Sequence, residues 1–377
     1  AMAMEPDSEP AAQRVLEYGM KVDPTQAIAV TRTFIAAHPD SRKLQLMLVN
    51  QLVGLHKTGE ALDILHNMRR RTPEDFDLLY TEAEVDFRAG DYAQAKALLN
   101  NYIDVQTQRG RSFNVNATDA QSNVSDARLL LVQVAEKQNQ LGEAIRQLGF
   151  IEDPAVRFQA RIHMAVLQAR MGDLPKARKT LADLKPANRQ EKAVIALTLA
   201  AIYRNSGRTD DAVQVLVGAD AALPDMPEIK YDLGMLLVQQ GKVKQFEALM
   251  QRVIELDPND ADAYNSLGYT YADRDENLDE ARDLLDRALE LDPDNPFIQD
   301  SMGWYLYRVN DLRGALDYLE RSYRKLPTAD VAAHLGEVLW KLDRRDEARK
   351  IWREGFQKDP HNDVLVKTLK RFQVSFQ

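Results

Sequence analysis

Residues 264–293 read YNSLGYTYADRDENLDEARDLLDRALELDP. Tyr264, Leu267, Gly268 and Tyr271 recur three and four places apart, and Ala281, Leu285 and Ala288 repeat that spacing after a polar interruption. Apolar residues at i, i+3 and i+4 share one face of a helix. Pro293 ends the second run, because proline lacks a backbone donor and disfavours a helical residue before it. The stretch therefore reads as helix, short turn, helix. Gly268 beside Leu267 lets the two helices approach closely, with the leucine filling the remaining space.

The same unit recurs along the chain. Alanines stand at 27, 61, 95, 144, 177, 212, 281, 315 and 348, with Phe246 in the one missing place, at steps of 34, 34, 49, 33, 35, 34, 35, 34 and 33. Four residues later come Leu65, Leu99, Leu148, Leu181, Leu216, Met250, Leu285, Leu319 and Trp352. Twelve residues after the alanine stand Pro39, Pro73, Pro224, Pro258, Pro293, Pro327 and Pro360, and about twelve before it Ala83, Ala165, Ala200, Gly234, Gly268, Gly303 and Gly336. Agreement is weaker mid-chain, where the proline place holds Thr107, Val156 and Arg189. Asn295-Pro296 supplies a helix start, Asn as cap and Pro at the first helical position.

A period near 34 with aromatic, Leu-Gly, Tyr, Ala, bulky, Ala and Pro in order resembles the tetratricopeptide repeat (TPR). The resemblance covers roughly residues 11–360. It implies an all-α TPR superhelical solenoid of about ten helix-turn-helix repeats. A helix pair cannot bury its apolar face alone, so the ends need capping. Val364, Leu365, Thr368, Leu369 and Phe372 suit a capping helix, followed by a loose tail, within 361–377. The single long step places an insertion near 108–124, expected as a projecting loop. Its sequons, Asn116-Ala117-Thr118 and Asn123-Val124-Ser125, are patterns common by chance. Ala1-Met2-Ala3-Met4 reads as an expression-vector remnant and residues 1–10 as a flexible leader, with the native N-terminus expected upstream.

The 377 residues are 45% hydrophobic and 28% charged, enough apolar area for a packed core, and carry a net charge of −9. That acidity disfavours DNA and RNA as partners. There is no cysteine, hence no disulfide or thiolate metal site, in either an oxidising or a reducing compartment. No run approaches the roughly 18–20 apolar residues of a membrane span. The six histidines, at 38, 56, 66, 163, 334 and 361, lack metal-ligand spacing, and GxSxG, P-loop and GxGxxG motifs are absent. No catalytic residue, cofactor or metal site is expected, and the chain is read as non-enzymatic.

Function is expected instead on the concave face, which TPR proteins line mainly with the first helix of each pair. Counting the small residue as position 8, places 2, 5, 9 and 12 face inward. They hold Tyr231, Met235 and Val238; Asp262, Asn265, Tyr269 and Ala272; Phe297, Asp300, Trp304 and Tyr307; and Asp330, Ala333, Glu337 and Trp340. Tyr231, Met235, Asn265, Tyr269, Asp300, Trp304, Tyr307, Glu337 and Trp340 are the candidate partner-binding residues, aromatic anchors with polar groups setting orientation. The alternative is packing between repeats, favoured for Trp352. The Lys, Asn and Arg of chaperone-tail carboxylate clamps are mostly missing here, so an apolar or mixed segment suits better. Residues 205–299 carry 21 acidic against 8 basic residues, and 300–377 carry 12 against 15, an asymmetry able to steer a partner or simply to keep the surface solvated.

Taken with the acidic leader and the insertion, the array resembles bacterial envelope TPR lipoproteins, and among them the pseudomonad group that binds the periplasmic C-terminal processing protease CtpA. That resemblance implies a non-catalytic adaptor, recruiting or activating the protease and presenting substrates such as cell-wall hydrolases. It implies a periplasmic, outer-membrane-anchored lipoprotein whose lipid-bearing cysteine lies upstream. A cytoplasmic chaperone-like or assembly-factor TPR protein holding client chains is the alternative.

Overall fold

The computed structural model describes residues 7–111 and 117–376. Contacts divide the chain into two compact units, meeting at Lys185 and Pro186. The first contains α1 (Glu9–Gly19), α2 (Pro24–Ala37), α3 (Arg42–Gly54), α4 (Thr58–Arg71), α5 (Asp77–Ala89), α6 (Tyr92–Gly110), α7 (Ala117–Lys137), α8 (Leu141–Gly149), α9 (Pro154–Arg170) and α10 (Leu174–Ala182). The second contains α11 (Arg189–Asn205), α12 (Thr209–Ala222), α13 (Pro227–Gln239), α14 (Val243–Leu256), α15 (Ala261–Arg274), α16 (Leu278–Leu291), α17 (Pro296–Arg308), α18 (Leu312–Lys325), α19 (Ala329–Lys341), α20 (Arg345–Lys358) and α21 (Asp363–Arg371). Each unit is thus a stack of five helix pairs, and α21 follows the last. No described helix is long and apolar enough to cross a membrane.

The periodic residues form the seams of these pairs. All nine repeat alanines and Phe246 are buried on second helices, as are Leu65, Leu99, Leu285, Leu319 and Trp352 one turn later. A Cβ at Gly268 would lie 2.8 Å from Leu285 Cγ, at Gly303 2.6 Å from Leu319 Cγ, and at Gly336 2.0 Å from Trp352 Nε1. The small place on one helix is therefore the socket for the large residue on its mate. Before each repeat proline the chain leaves the helix at one residue, with φ between −126° at His38 and −144° at Asp359. Clash with the proline ring disfavours the helical region at that position. In six of the pairs a single left-handed glycine or asparagine turns the chain, glycine at 90, 172, 207 and 241 and asparagine at 139 and 310.

Three boundary expectations are corrected. Glu9 and Pro10 open α1, capped by Ser8, because Pro10 sits where a helix has no donor to lose. The described flanks of the insertion are helix: α6 and α7 run for 19 and 21 residues, and their packed faces bury Tyr102, Ile103, Ala120 and Ala127. Its centre, 112–116, including the sequon at Asn116, lies outside the described residues. The expected loose tail is docked, with Val374 and Phe376 packed on the second unit's core and Val374 N–H donating to Leu369 O at 2.9 Å.

Candidate partner-binding groove

Within the second unit, α13, α15, α17 and α19 lie side by side and leave a groove of about 810 Å³. Of the candidate residues, Tyr231, Met235, Asn265, Tyr269 and Asp300 line it. Phe297 stands at its edge, 59% exposed. Tyr231 shares a hydroxyl hydrogen bond with Ser266 at 3.1 Å, and with Asp262 also lines an adjoining hollow of about 270 Å³. The side-chain oxygen of Asn265 is shut off from water and has no hydrogen-bond partner.

Beneath the groove is a layered polar network. His334, 2% exposed, sits with Nδ1 at 3.0 Å from both oxygens of Asp300. A carboxylate only accepts, so Nδ1 carries the donated proton. Burial works against a charged imidazole here, but Asp300, then Asp273 and Asp330, outweigh it and hold the histidine above its ordinary value. His334 stacks on Trp304 with ring centres 4.2 Å apart, and Tyr269 tilts against it at 6.1 Å. Burial, followed by Asp273, Asp300 and Asp330, pushes the Tyr269 hydroxyl far above the phenol range. This tyrosine stays neutral and offers a donor.

The other candidates do not present an open face. Trp304 is 4% exposed; its Nε1–H donates to Asp273 at 3.0 Å, and Tyr307 stacks on its ring at 4.9 Å. The reading of Trp304 as an anchor is corrected: the neighbouring helix α19 supplies His334, which covers it. Glu337, 1% exposed, accepts from Thr368 Oγ1 at 2.9 Å and from Arg371, both on α21. Trp340 stacks on Trp352 at 5.5 Å and meets Phe372 at 5.7 Å. Glu337 and Trp340 are therefore committed to the capping helix. Spacing missed His334 and Asp273. Asp300 and His334 carried a signal, standing one 34-residue period apart; Asp273 and Trp304, 31 apart, did not.

Sequence profiles of the tetratricopeptide repeat match residues 78–101, 203–268, 261–295 and 301–362. The chain is 29% identical over 248 residues to a TPR repeat-containing protein of Pseudomonas aeruginosa, covering 66% of this chain and 42% of that protein. It is 25% identical over 187 residues to the Homo sapiens protein O-mannosyl-transferase TMTC1, covering 48% of this chain and 21% of that one. The chain thus spans less than half the length of either relative. A tetratricopeptide repeat protein from Parabacteroides merdae superimposes with a TM-score of 0.49 at 15% identity, over 65% of this chain and 97% of that one. Repeats of this kind are scaffolds for protein–protein interaction. With ten helix pairs built on a 34-residue period, and repeat profiles matching in both units, the chain belongs to the tetratricopeptide-repeat superfamily.

Proposed function

We propose that the chain is an adaptor whose second unit grips a segment of a partner protein in the groove across α13, α15, α17 and α19. The observation carrying this reading is the groove itself, which combines Met235, Val238 and the tyrosines with the polar side chains of Asp262, Asp273 and Asp330. Apolar side chains can bury there while the lining aspartates and the Tyr269 hydroxyl fix backbone or side-chain orientation. The finer reading is that the partner is a periplasmic C-terminal processing protease, recruited or activated so that it reaches envelope substrates such as cell-wall hydrolases. Support for it is the likeness of the repeat array, with its acidic leader and insertion, to envelope TPR lipoproteins. On this reading the protein is periplasmic and held at the outer membrane by a lipid.

The test is affinity capture from a Gram-negative envelope extract, followed by turnover measurements on any protease recovered. Recovery of such a protease, with turnover that rises when the chain is added, supports the adaptor. Phe297→Ala is the matched variant: the ring is mostly exposed, so helicity should hold while partner affinity falls by about tenfold. Recovery of assorted unfolded proteins without a protease would replace the adaptor with a client-holding scaffold.

A further inference from the structure

The groove has a pronounced charge character. Asp262, Asp273, Asp300 and Asp330 line it, against a single arginine, Arg274. That arginine is already held by Glu276, at 2.9 and 3.0 Å. Arg308, near the Trp304 ring, is likewise tied to Asp275. Among the described residues, no lysine or arginine forms an ion pair with any of the four lining carboxylates. The adjoining hollow adds Glu228, Asp232 and Asp260.

Two further observations show that this negative field is felt inside the groove. Burial, then the neighbouring Asp260 and Asp292, hold the Asp262 carboxyl above its usual range. Three of the four carboxylates act together on Tyr269 and on His334. His334 is 2% exposed and its Nδ1–H is already engaged with Asp300, so it offers the groove no counter-charge to the other three carboxylates. Charges of one sign brought together in a partly desolvated trough raise one another's energy until a counter-charge arrives.

We infer that the groove is specific for an extended protein segment in which lysine or arginine side chains alternate with apolar ones. The inference rests on the groove being the partner site, and adds the chemistry of what enters. Four adjacent first helices at roughly 8–10 Å spacing span about 24–30 Å, the length of about eight extended residues. Successive side chains of such a segment point to opposite sides. The apolar set can pack on Met235, Val238 and Tyr269 while the cations reach Asp262, Asp273 and Asp330. An acidic segment would place like charges together in the same trough, which is repulsive discrimination as well as attraction.

The experiment uses the full chain and three fluorescent peptides of one apolar pattern, with the alternate positions filled by lysine, glutamine or glutamate. Anisotropy titrations at low and high salt give the affinities. The lysine peptide should bind at least about tenfold tighter than the glutamine peptide, and the difference should shrink as salt rises. Asp262→Asn combined with Asp330→Asn should lower lysine-peptide affinity by about tenfold with unchanged helicity. Asp279→Asn with Asp283→Asn, on α16 outside the groove, should leave it unchanged. Equal binding of lysine and glutamine peptides, both weakened by Phe297→Ala, would retain the groove as the site and overturn its charge selectivity. Equal loss from the α16 and groove variants would overturn the inference by making the attraction diffuse, and so would failure of all three peptides to bind.

Discussion

Asp86, on α5, is a carboxylate at odds with its surroundings. It is 4% exposed, and its Oδ2 has no hydrogen-bond partner. Burial first, then Glu82 and Asp91, push its carboxyl from 3.8 up to about 6, with His66 opposing. A carboxyl with a folded pKa above its unfolded value binds more protons folded than unfolded, so stability falls as pH rises through that window and stays lower at pH 7. At about 1.4 kcal/mol per unit the difference is about 3 kcal/mol. Asp86→Asn should therefore raise the urea-unfolding free energy at pH 7.5 by about 2–3 kcal/mol and change it little near pH 4. A loss at both values would mean that the carboxylate is needed where it stands. Trp304 makes the opposite case: Trp304→Ala should cost about 3–5 kcal/mol and lower helicity, whereas Trp304→Phe should retain the fold. Single residues also mark where sequence reading of the site ran out. The register placed Tyr231, Met235, Asn265, Tyr269 and Asp300 on the groove wall, but Trp304 and Glu337 occupy equivalent places and are covered. What covers them, His334 in one case and Thr368 with Arg371 in the other, depends on the side chains of the next helix, and a period carries no information about those.

At the scale of the helix, the periodic signals were direct statements of packing, and for that reason the fold was largely legible. Beyond the first turn of a helix, a pre-proline residue is disfavoured from helical geometry, so seven helix ends could be placed within two residues of a proline. The small and large partners of each pair were equally readable, because one is the socket of the other. Helix content of the insertion was not, since Ser, Asn and Gly around 110–116 signal a break while the apolar residues extending α6 and α7 only gain value once those helices meet. Glycines give the element-scale test. Gly336→Ala would put a Cβ 2.0 Å from Trp352 Nε1 and 2.5 Å from two ring carbons, in a seam where Trp352 is fully buried. Thermal unfolding followed at 222 nm should show a loss of about 1–3 kcal/mol. Gly218→Ala, within α12 and with nothing within 4 Å, should instead gain about 0.5–1 kcal/mol through helix propensity. Equal effects from the two would remove the distinction between a socket and a free surface position.

A repeat array is stabilised through nearest neighbours, so the consequences of damage depend on distance along the chain. The capping segment is where this can be measured. Leu365 and Leu369 are buried against the core, Thr368 and Arg371 satisfy the buried Glu337, and Phe372 meets both Trp340 and Trp352. Removing residues 361–377 leaves Glu337 a carboxylate without those donors and exposes the apolar side of α19 and α20. Loss of one partner of a buried charge costs about 3–5 kcal/mol, and lost burial adds to it. Amide hydrogen exchange should then show α19 and α20 opening at least about 100-fold more often, while α3 and α4, whose cores are built from Leu44, Leu48, Leu52 and Leu65, keep their protection. The C-terminal end also carries the basic excess that follows the acidic groove residues in sequence, so the truncation removes Lys367, Lys370 and Arg371 as well. Substituting Lys367 and Lys370 by glutamine in the untruncated chain, with Arg371 left on Glu337, separates the effects: exchange in α20 should stay slow, because packing by Leu365, Leu369 and Phe372 persists. Faster exchange in α3 and α4 upon truncation would show instead that the ten pairs unfold as one cooperative body and that nearest-neighbour additivity does not govern this chain.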